Sequence, residues 1–291
     1  MAEFIKPRSL SDALEARAAH QDYRILAGGT DLMVASKFHR PPAGTIDIFG
    51  LDDLVGIDEA PKGGLRIGAA TPYAHLLGDE RVQERFPLLC ASVREIGAPQ
   101  IQSRGTMGGN IANSSPVGDT LPVLMALDAE LELASKSGTR RVPYRDFPTG
   151  YRSVDLRADE LIVAIHLPAQ SEGALQYWRK MGTRRAQSIS KVMLAAVGRV
   201  ENGLIAEARI GLGAVAETTI RAYTVEKTIV GRAANAETAE LAEDLAGNQL
   251  SAEEAVELEE RFVEVLRDDA EVAAAHRDRL LERRIDLRHV R

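Results

Sequence analysis

Thr106-Met107-Gly108-Gly109-Asn110-Ile111-Ala112-Asn113-Ser114-Ser115-Pro116-Val117-Gly118-Asp119 sets unusual backbone freedom beside a run of uncommitted polar side chains. Adjacent glycines permit positive φ and let the main chain approach a ligand. Successive N–H groups there can form an anion-binding concavity, for which phosphate is the fitting guest. Asn110, Asn113, Ser114 and Ser115 add neutral donors and acceptors. Asp119 opens the apolar run 121–127 and is expected to be a helix N-cap. Its carboxylate would repel phosphate, so its expected partner is a hydroxyl. A surface turn is the competing meaning of Gly-Gly-Asn taken alone.

The stretch has a companion. In Ile25-Leu26-Ala27-Gly28-Gly29-Thr30-Asp31-Leu32 a short apolar run meets two glycines and then Thr-Asp, ahead of a helix-like segment 32–38. Strand, glycine turn and helix start make an anion site, because the helix N-terminus contributes partial positive charge and unpaired N–H groups. Neither stretch is G-x-G-x-x-G, and neither ends in Gly-Lys-Ser/Thr, which disfavours a Rossmann or nucleoside-triphosphatase site. Two separate cradles fit a diphosphate held from both sides.

Ala27-Gly28-Gly29-Thr30-Asp31, followed by Thr106-Met107-Gly108-Gly109-Asn110 and Ser115-Pro116-x-x-Asp119, resembles the FAD-binding subunit of the molybdenum hydroxylases, the xanthine dehydrogenase and carbon monoxide dehydrogenase family. The likeness continues through Asp159-Glu160-Leu161-Ile162 and Lys180-Met181-Gly182-Thr183-Arg184-Arg185, and it thins after Glu217. It implies an α+β fold: a two-subdomain FAD-binding unit of the vanillyl-alcohol-oxidase/xanthine-dehydrogenase type, followed by a C-terminal domain with an antiparallel sheet and helices. It implies FAD as the cofactor. The 2Fe-2S clusters and the molybdopterin cofactor are expected only on partner chains, an iron–sulfur subunit and a molybdopterin-binding subunit, in a heterotrimer or a dimer of heterotrimers.

Matched position by position, Ile25, Leu26, Ala27, Gly28, Gly29, Thr30, Asp31 and Leu32 resemble one segment that lines the FAD diphosphate. Thr106, Met107, Gly108, Gly109 and Asn110 resemble the other. Ile96, Asp119, Ile162 and Lys180 match further FAD-contacting positions, and the resemblance implies that Lys180 reaches the FAD. Two positions depart from the family pattern. Ile96 stands where the animal xanthine dehydrogenases have a phenylalanine beside the flavin ring, and Gln187-Ser188 occupy a site where many relatives place an aspartate.

Composition sets looser bounds. A chain of 291 residues, 45% of them hydrophobic, is long enough for two or three domains with buried cores. Its net charge of −7 argues against nucleic acid as a partner. The N-terminal residues lack a basic region leading into an apolar run, and no uncharged apolar stretch is long enough to cross a bilayer, so the expected location is the cytoplasm. Cys90 is the only cysteine and can build neither an iron–sulfur cluster nor a structural zinc site within this chain. It sits in the apolar pattern of Phe86, Leu88, Leu89, Val93 and Ile96 and reads as a buried structural thiol. The six histidines show no i, i+4 pairing, and no metal is assigned.

In chain order, Ser9 with Asp12 resembles a capping box for a helix ending near His20. Segments 45–48, 54–57 and 65–69 read as strands, and helical spacing marks 73–77 and one longer helix over 82–96. A hairpin is expected over 129–142 around Ser137-Gly138, and 160–167 reads as a strand stopped by Pro168. Strands 192–200 and 204–215 flank Asn202-Gly203, a strong hairpin signal. Helical patterns follow at 222–230, 236–245, 252–267 and 270–282; Glu253, Glu254, Glu257, Glu259 and Glu260 form an exposed face on the third of them. The expected domains are 1–57 and 58–170, the two FAD-binding subdomains, and 174–291.

Together these point to an electron-transfer flavoprotein subunit that takes electrons from 2Fe-2S clusters of a partner chain and passes them to an acceptor: NAD, oxygen or a quinone. The alternative is a self-contained FAD-dependent oxidase or reductase. It would need an acid or base near the flavin, for which Tyr73, His75 and Tyr151 are nominees without a supporting constellation. Gly150-Tyr151-Arg152 and Ser-Pro-Val-Gly-Asp resemble bacterial xanthine dehydrogenase relatives more than carbon monoxide dehydrogenase, which leans the substrate towards N-heterocycles.

Overall fold

Ser9 Oγ accepts from the Asp12 N–H at 3.1 Å, and Asp12 Oδ2 accepts from the Arg8 N–H at 3.2 Å. The first bond satisfies an orphan donor and starts the helix Leu10–Ala19 where the Ser9/Asp12 spacing predicts, while the return bond goes to Arg8 and not to the N-cap Ser9. The structure is a computed structural model and describes residues 3–35, 42–184 and 187–247. The chain divides into two compact units, 1–197 with 210–221, and 198–209 with 222–291.

The first unit opens with a three-stranded parallel sheet in which Gly44–Asp47 lies between Glu3–Ile5 and Arg24–Leu26. Ile46, Leu54, Leu161 and Val163 fill the core beside it, with Ala13 of the first helix. A five-stranded antiparallel sheet follows, in the order Ile57–Glu59, Leu65–Gly68, Leu161–Leu167, Glu130–Ser135, Gly138–Pro143. Its central strand Leu161–Leu167 is buried at every residue, which is why its sequence is an apolar run and not an alternation. Ile162 pairs with Leu133 and Ala164 with Glu132, so Val163 is the extra residue of a bulge. Bulges re-aim neighbouring side chains, and this one lies beside the cleft described below.

Helices Tyr73–Gly78, Glu80–Arg85, Pro87–Arg94, Met107–Asn113 and Leu121–Ala126 bury their apolar sides in the main core, where Phe86, Leu89, Val93, Met107 and Ile111 are essentially inaccessible. Cys90 lies there too, and burial pushes its thiol pKa up. Strands Leu175–Gly182, Ser190–Glu201, Leu204–Gly213 and Ile220–Arg221 follow in order in a four-stranded sheet. Arg221 binds Asp128 Oδ1 at 2.7 Å and the Met125 carbonyl at 3.0 Å. In the second unit, Asn202 and Gly203 have φ of 51° and 77°, the positive pair that an Asn-Gly hairpin turn requires. Asn235 Oδ1 caps the helix Ala236–Gly247 through the Thr238 N–H at 3.0 Å, and the helix Tyr223–Ile229 precedes it.

The structure corrects several expected elements. The helix over 82–96 is two, because Pro87 lacks an N–H and its ring obstructs the preceding turn, so it starts the helix Pro87–Arg94. The strand at 54–57 is a 3₁₀ turn at Asp52–Leu54 followed by Ile57–Glu59. The first cradle's helix is Thr30–Ala35, and the remainder of 32–38 lies outside the described residues. So do the patterns at 252–267 and 270–282, with the glutamate face. No helix of the described residues is long and apolar enough to cross a membrane.

Candidate functional site

The two glycine stretches come together across a cleft of about 970 Å³ in the first unit. That is near the upper end of the roughly 300–1,000 Å³ of small-molecule sites. Ile25, Ala27, Gly28, Gly29, Thr30, Asp31 and Leu32 line it from one side. Thr106, Gly108, Gly109 and Asn110 line it from the other, joined by Ile96 and Ile162. Leu26, Met107, Asp119 and Lys180 are not lining residues; Met107 is fully buried in the main core.

The glycines do different work from the one their composition implies. Gly108 and Gly109 have no positive φ; they lie inside the helix Met107–Asn113, whose N-cap Thr106 accepts from the Gly109 N–H at 3.1 Å. A threonine ahead of the glycines could have signalled that helix. A Cβ on Gly108 would lie 2.6 Å from the Ala69 carbonyl oxygen, and one on Gly28 only 1.8 Å from that of Arg104. These two admit the protein's own backbone. Gly29 supplies the positive φ, at 77°, that turns the chain into Thr30–Ala35. Gly109 is exposed, and a Cβ there would meet only Thr106 Oγ1, at 3.0 Å.

Asn113 ties the rim together. Its amide nitrogen donates to Asp31 Oδ2 of the first stretch, and its Oδ1 accepts from Arg152 Nη1 at 3.1 Å. Arg152 and the exposed Tyr151 form the turn between Pro148–Gly150 and Ser153–Val154, and both line the cleft. Glu160 is buried in the wall and gripped in a fork by Arg140, Nε to Oε1 at 2.7 Å and Nη2 to Oε2 at 2.9 Å. This grip holds the Glu160 carboxyl below its ordinary pKa. Tyr73 lines the cleft with its phenol buried beside Thr120, whose hydroxyl donates to Asn110 Oδ1 at 3.0 Å. Burial raises the Tyr73 pKa well above the usual phenol range, so it stays protonated.

Asp119 does not cap the helix Leu121–Ala126; the N-cap is Thr120, with no side-chain cap bond. The Asp119 carboxylate instead receives Lys180 Nζ at 2.9 Å and Ser190 Oγ at 3.0 Å. Both partners belong to the chain itself, a hydroxyl and an ammonium. Burial pushes the Asp119 pKa up, and the Lys180 charge opposes that push. Lys180 thus has a counter-charge within this chain although Gln187-Ser188 replace the aspartate of many relatives. His75 is exposed and off the cleft, and His166 is a strand residue bonded to Glu132 at 2.7 Å. Arg17, Arg24, Leu156 and Leu161 also line the cleft, and no local signal in the sequence marks them as site residues.

Residues 1–170 match the family model for the FAD binding domain in molybdopterin dehydrogenase, and residues 177–279 that for the CO dehydrogenase flavoprotein C-terminal domain. The xanthine dehydrogenase FAD-binding subunit of Escherichia coli O157:H7 is 36% identical over 243 residues, covering 82% of each chain. The carbon monoxide dehydrogenase medium chain of Hydrogenophaga pseudoflava is 31% identical over 246 residues, covering 84% of this chain and 85% of that one. A chain in a solved structure of carbon monoxide dehydrogenase from the same organism superposes with a TM-score of 0.84 at 30% identity, covering 94% of this chain and 97% of that one. The α+β architecture, the paired glycine stretches at one cleft and the two matched domains agree: the chain belongs to the family of FAD-binding subunits of the molybdenum hydroxylases.

Proposed function

We propose that the cleft holds FAD with its diphosphate between the Gly28–Gly29 and Gly108–Gly109 stretches, and that the chain acts as the electron junction of a molybdenum hydroxylase. The observation that carries this is the convergence of both stretches on one cleft of about 970 Å³. The donor set fits the group. The first-turn N–H groups of Thr30–Ala35 offer donors to phosphate oxygens, and the exposed Gly109, whose own N–H is held by Thr106, leaves room for close approach. Asn110 and the buried Tyr73 hydroxyl supply neutral polar atoms, and Ile25, Ile96 and Ile162 supply apolar walls. Bound there, the isoalloxazine supplies redox chemistry that handles electrons singly or in pairs.

Glu160, Asp31 and Tyr73, three titratable groups at the cleft, are bonded or held protonated by burial, not poised for acid–base work. Arg140 grips Glu160, Asn113 binds Asp31, and burial keeps the Tyr73 phenol protonated. This favours a site that positions a cofactor over one that oxidises its own organic substrate. Electrons would arrive from 2Fe-2S clusters of an iron–sulfur subunit, after substrate oxidation on a molybdopterin-binding subunit, and leave to NAD, oxygen or a quinone. A heterotrimer or dimer of heterotrimers in the cytoplasm fits this role. The 36% identity to a xanthine dehydrogenase subunit, against 31% to a carbon monoxide dehydrogenase one, leans the substrate towards N-heterocycles.

The purified protein is expected to carry one noncovalent FAD. Acid precipitation followed by absorbance of the supernatant checks this; flavin left in the pellet, or none at all, would contradict it.

A further inference from the structure

Asn110 lies in the cleft wall with most of its hydrogen-bonding capacity already used by the protein. Its N–H donates to the Thr106 carbonyl at 3.1 Å, and its own carbonyl accepts from the Ser114 N–H at 3.1 Å. Its side-chain Oδ1 accepts from Thr120 Oγ1 at 3.0 Å. Thr120 is fully buried, stands beside the Tyr73 phenol and is not itself a lining residue. Gly118 completes the arrangement, because a Cβ there would lie 3.0 Å from Asn110 Oδ1 and 2.9 Å from Leu121 Cδ1. Asn113, one turn on, makes the contrast, for its amide is committed at both ends, to Asp31 and to Arg152.

We propose that Thr120 is a positioning residue of the flavin site: by occupying Asn110 Oδ1 it fixes the amide so that the Nδ2 hydrogens face the cleft as donors to the cofactor. An amide with both ends free can rotate and present either a donor or an acceptor. With the oxygen pinned, it presents only a donor, which suits the acceptor oxygens of a diphosphate or a flavin carbonyl. The inference rests on the cleft being the FAD site.

The test is FAD titration of the flavin-free full-length chain, followed by flavin fluorescence. Thr120→Val keeps the volume and removes the donor, and is expected to weaken FAD binding about tenfold. Thr120→Ser should restore affinity to within about twofold. Asn110→Ala should weaken binding to a similar degree, and Thr120→Val should add nothing in the Asn110→Ala background, because the two act as one unit. A merely structural threonine would give additive losses in the double variant, and that result, or wild-type affinity in folded Thr120→Val, overturns the proposal. Should Thr120→Val fail to fold, Thr120→Ala decides: it removes the same donor with less bulk and without adding charge, and is expected to weaken FAD binding to a similar degree. Undiminished FAD binding by folded Thr120→Ala would be equally fatal, whereas a wild-type chain that takes up no FAD would defeat the flavin site itself.

Discussion

Gly109→Val is expected to yield a folded, colourless protein, while Gly28→Ala is expected to damage the fold. The two glycines sit in matching family segments, but their surroundings differ. At Gly109 the added side chain meets only the Thr106 hydroxyl, at 3.0 Å, and otherwise projects from an exposed position beside the cleft. Valine has no worse helix propensity than glycine, so the helix Met107–Asn113 should persist. The loss falls on the ligand. Each charge-assisted hydrogen bond to a diphosphate contributes about 1.5–3 kcal/mol, so displacing two or three weakens FAD binding by several orders of magnitude. At Gly28 the Cβ would lie 1.8 Å from the Arg104 carbonyl oxygen and 3.1 Å from the Gly105 Cα, so the two stretches must separate. Overpacking of this kind costs about 3 kcal/mol or more, lowering Tm by about 10 °C. Circular dichroism with flavin absorbance separates the two outcomes. Gly108→Val belongs with Gly28→Ala, because its Cβ would meet Ala69 backbone atoms at 2.6 and 3.0 Å. Full FAD content in folded Gly109→Val would remove the second stretch from the site.

Arg140→Ala should produce the second large effect, a loss of stability of about 3 kcal/mol. The guanidinium binds Glu160 through two bonds and Asp155 Oδ2 through a third at 2.7 Å. The Glu160 carboxylate is only 3% exposed, and without Arg140 it would be left buried with less compensation. The pH dependence gives a second signature. Arg140 hydrogen bonds are the largest influence holding both carboxyls below their ordinary values of 4.5 and 3.8. A depressed folded-state pKa means that the unfolded chain binds the proton first. The stabilisation is therefore complete above about pH 5 and is lost as pH falls through the depressed values. Chemical denaturation from pH 7 to pH 3 should show a steep acid limb in the wild type and a flatter one in Arg140→Ala. Parallel limbs would show that the fork contributes nothing.

Local chemistry made much of this fold legible. Asn202-Gly203, Ser137-Gly138, the Ser9 cap and the apolar run ending at Pro168 are signals carried by neighbouring residues, and each sits where the sequence puts it. Pro87 was equally local, but helical periodicity on both sides of it masked the break. The failures at the site have a different origin. Gly108 lacks a side chain because Ala69 packs on it, and Asp119 binds Lys180, 61 residues away. A glycine or an aspartate looks the same in sequence whether it serves a turn, a cap or a distant partner. Arg17 and Leu156 reach the cleft wall only through the tertiary arrangement, which no spacing rule encodes.

The electron-junction role is tested most directly by holo-protein mixed anaerobically with candidate N-heterocycles while flavin absorbance is followed, first alone and then with the iron–sulfur and molybdopterin-binding chains present. Because Glu160 and Asp31 are bonded within the chain and Tyr73 is held protonated, substrate alone should leave the flavin unbleached, and the full assembly should bleach it rapidly. Rapid bleaching by substrate without the partner chains would contradict that role and identify a self-contained flavoenzyme.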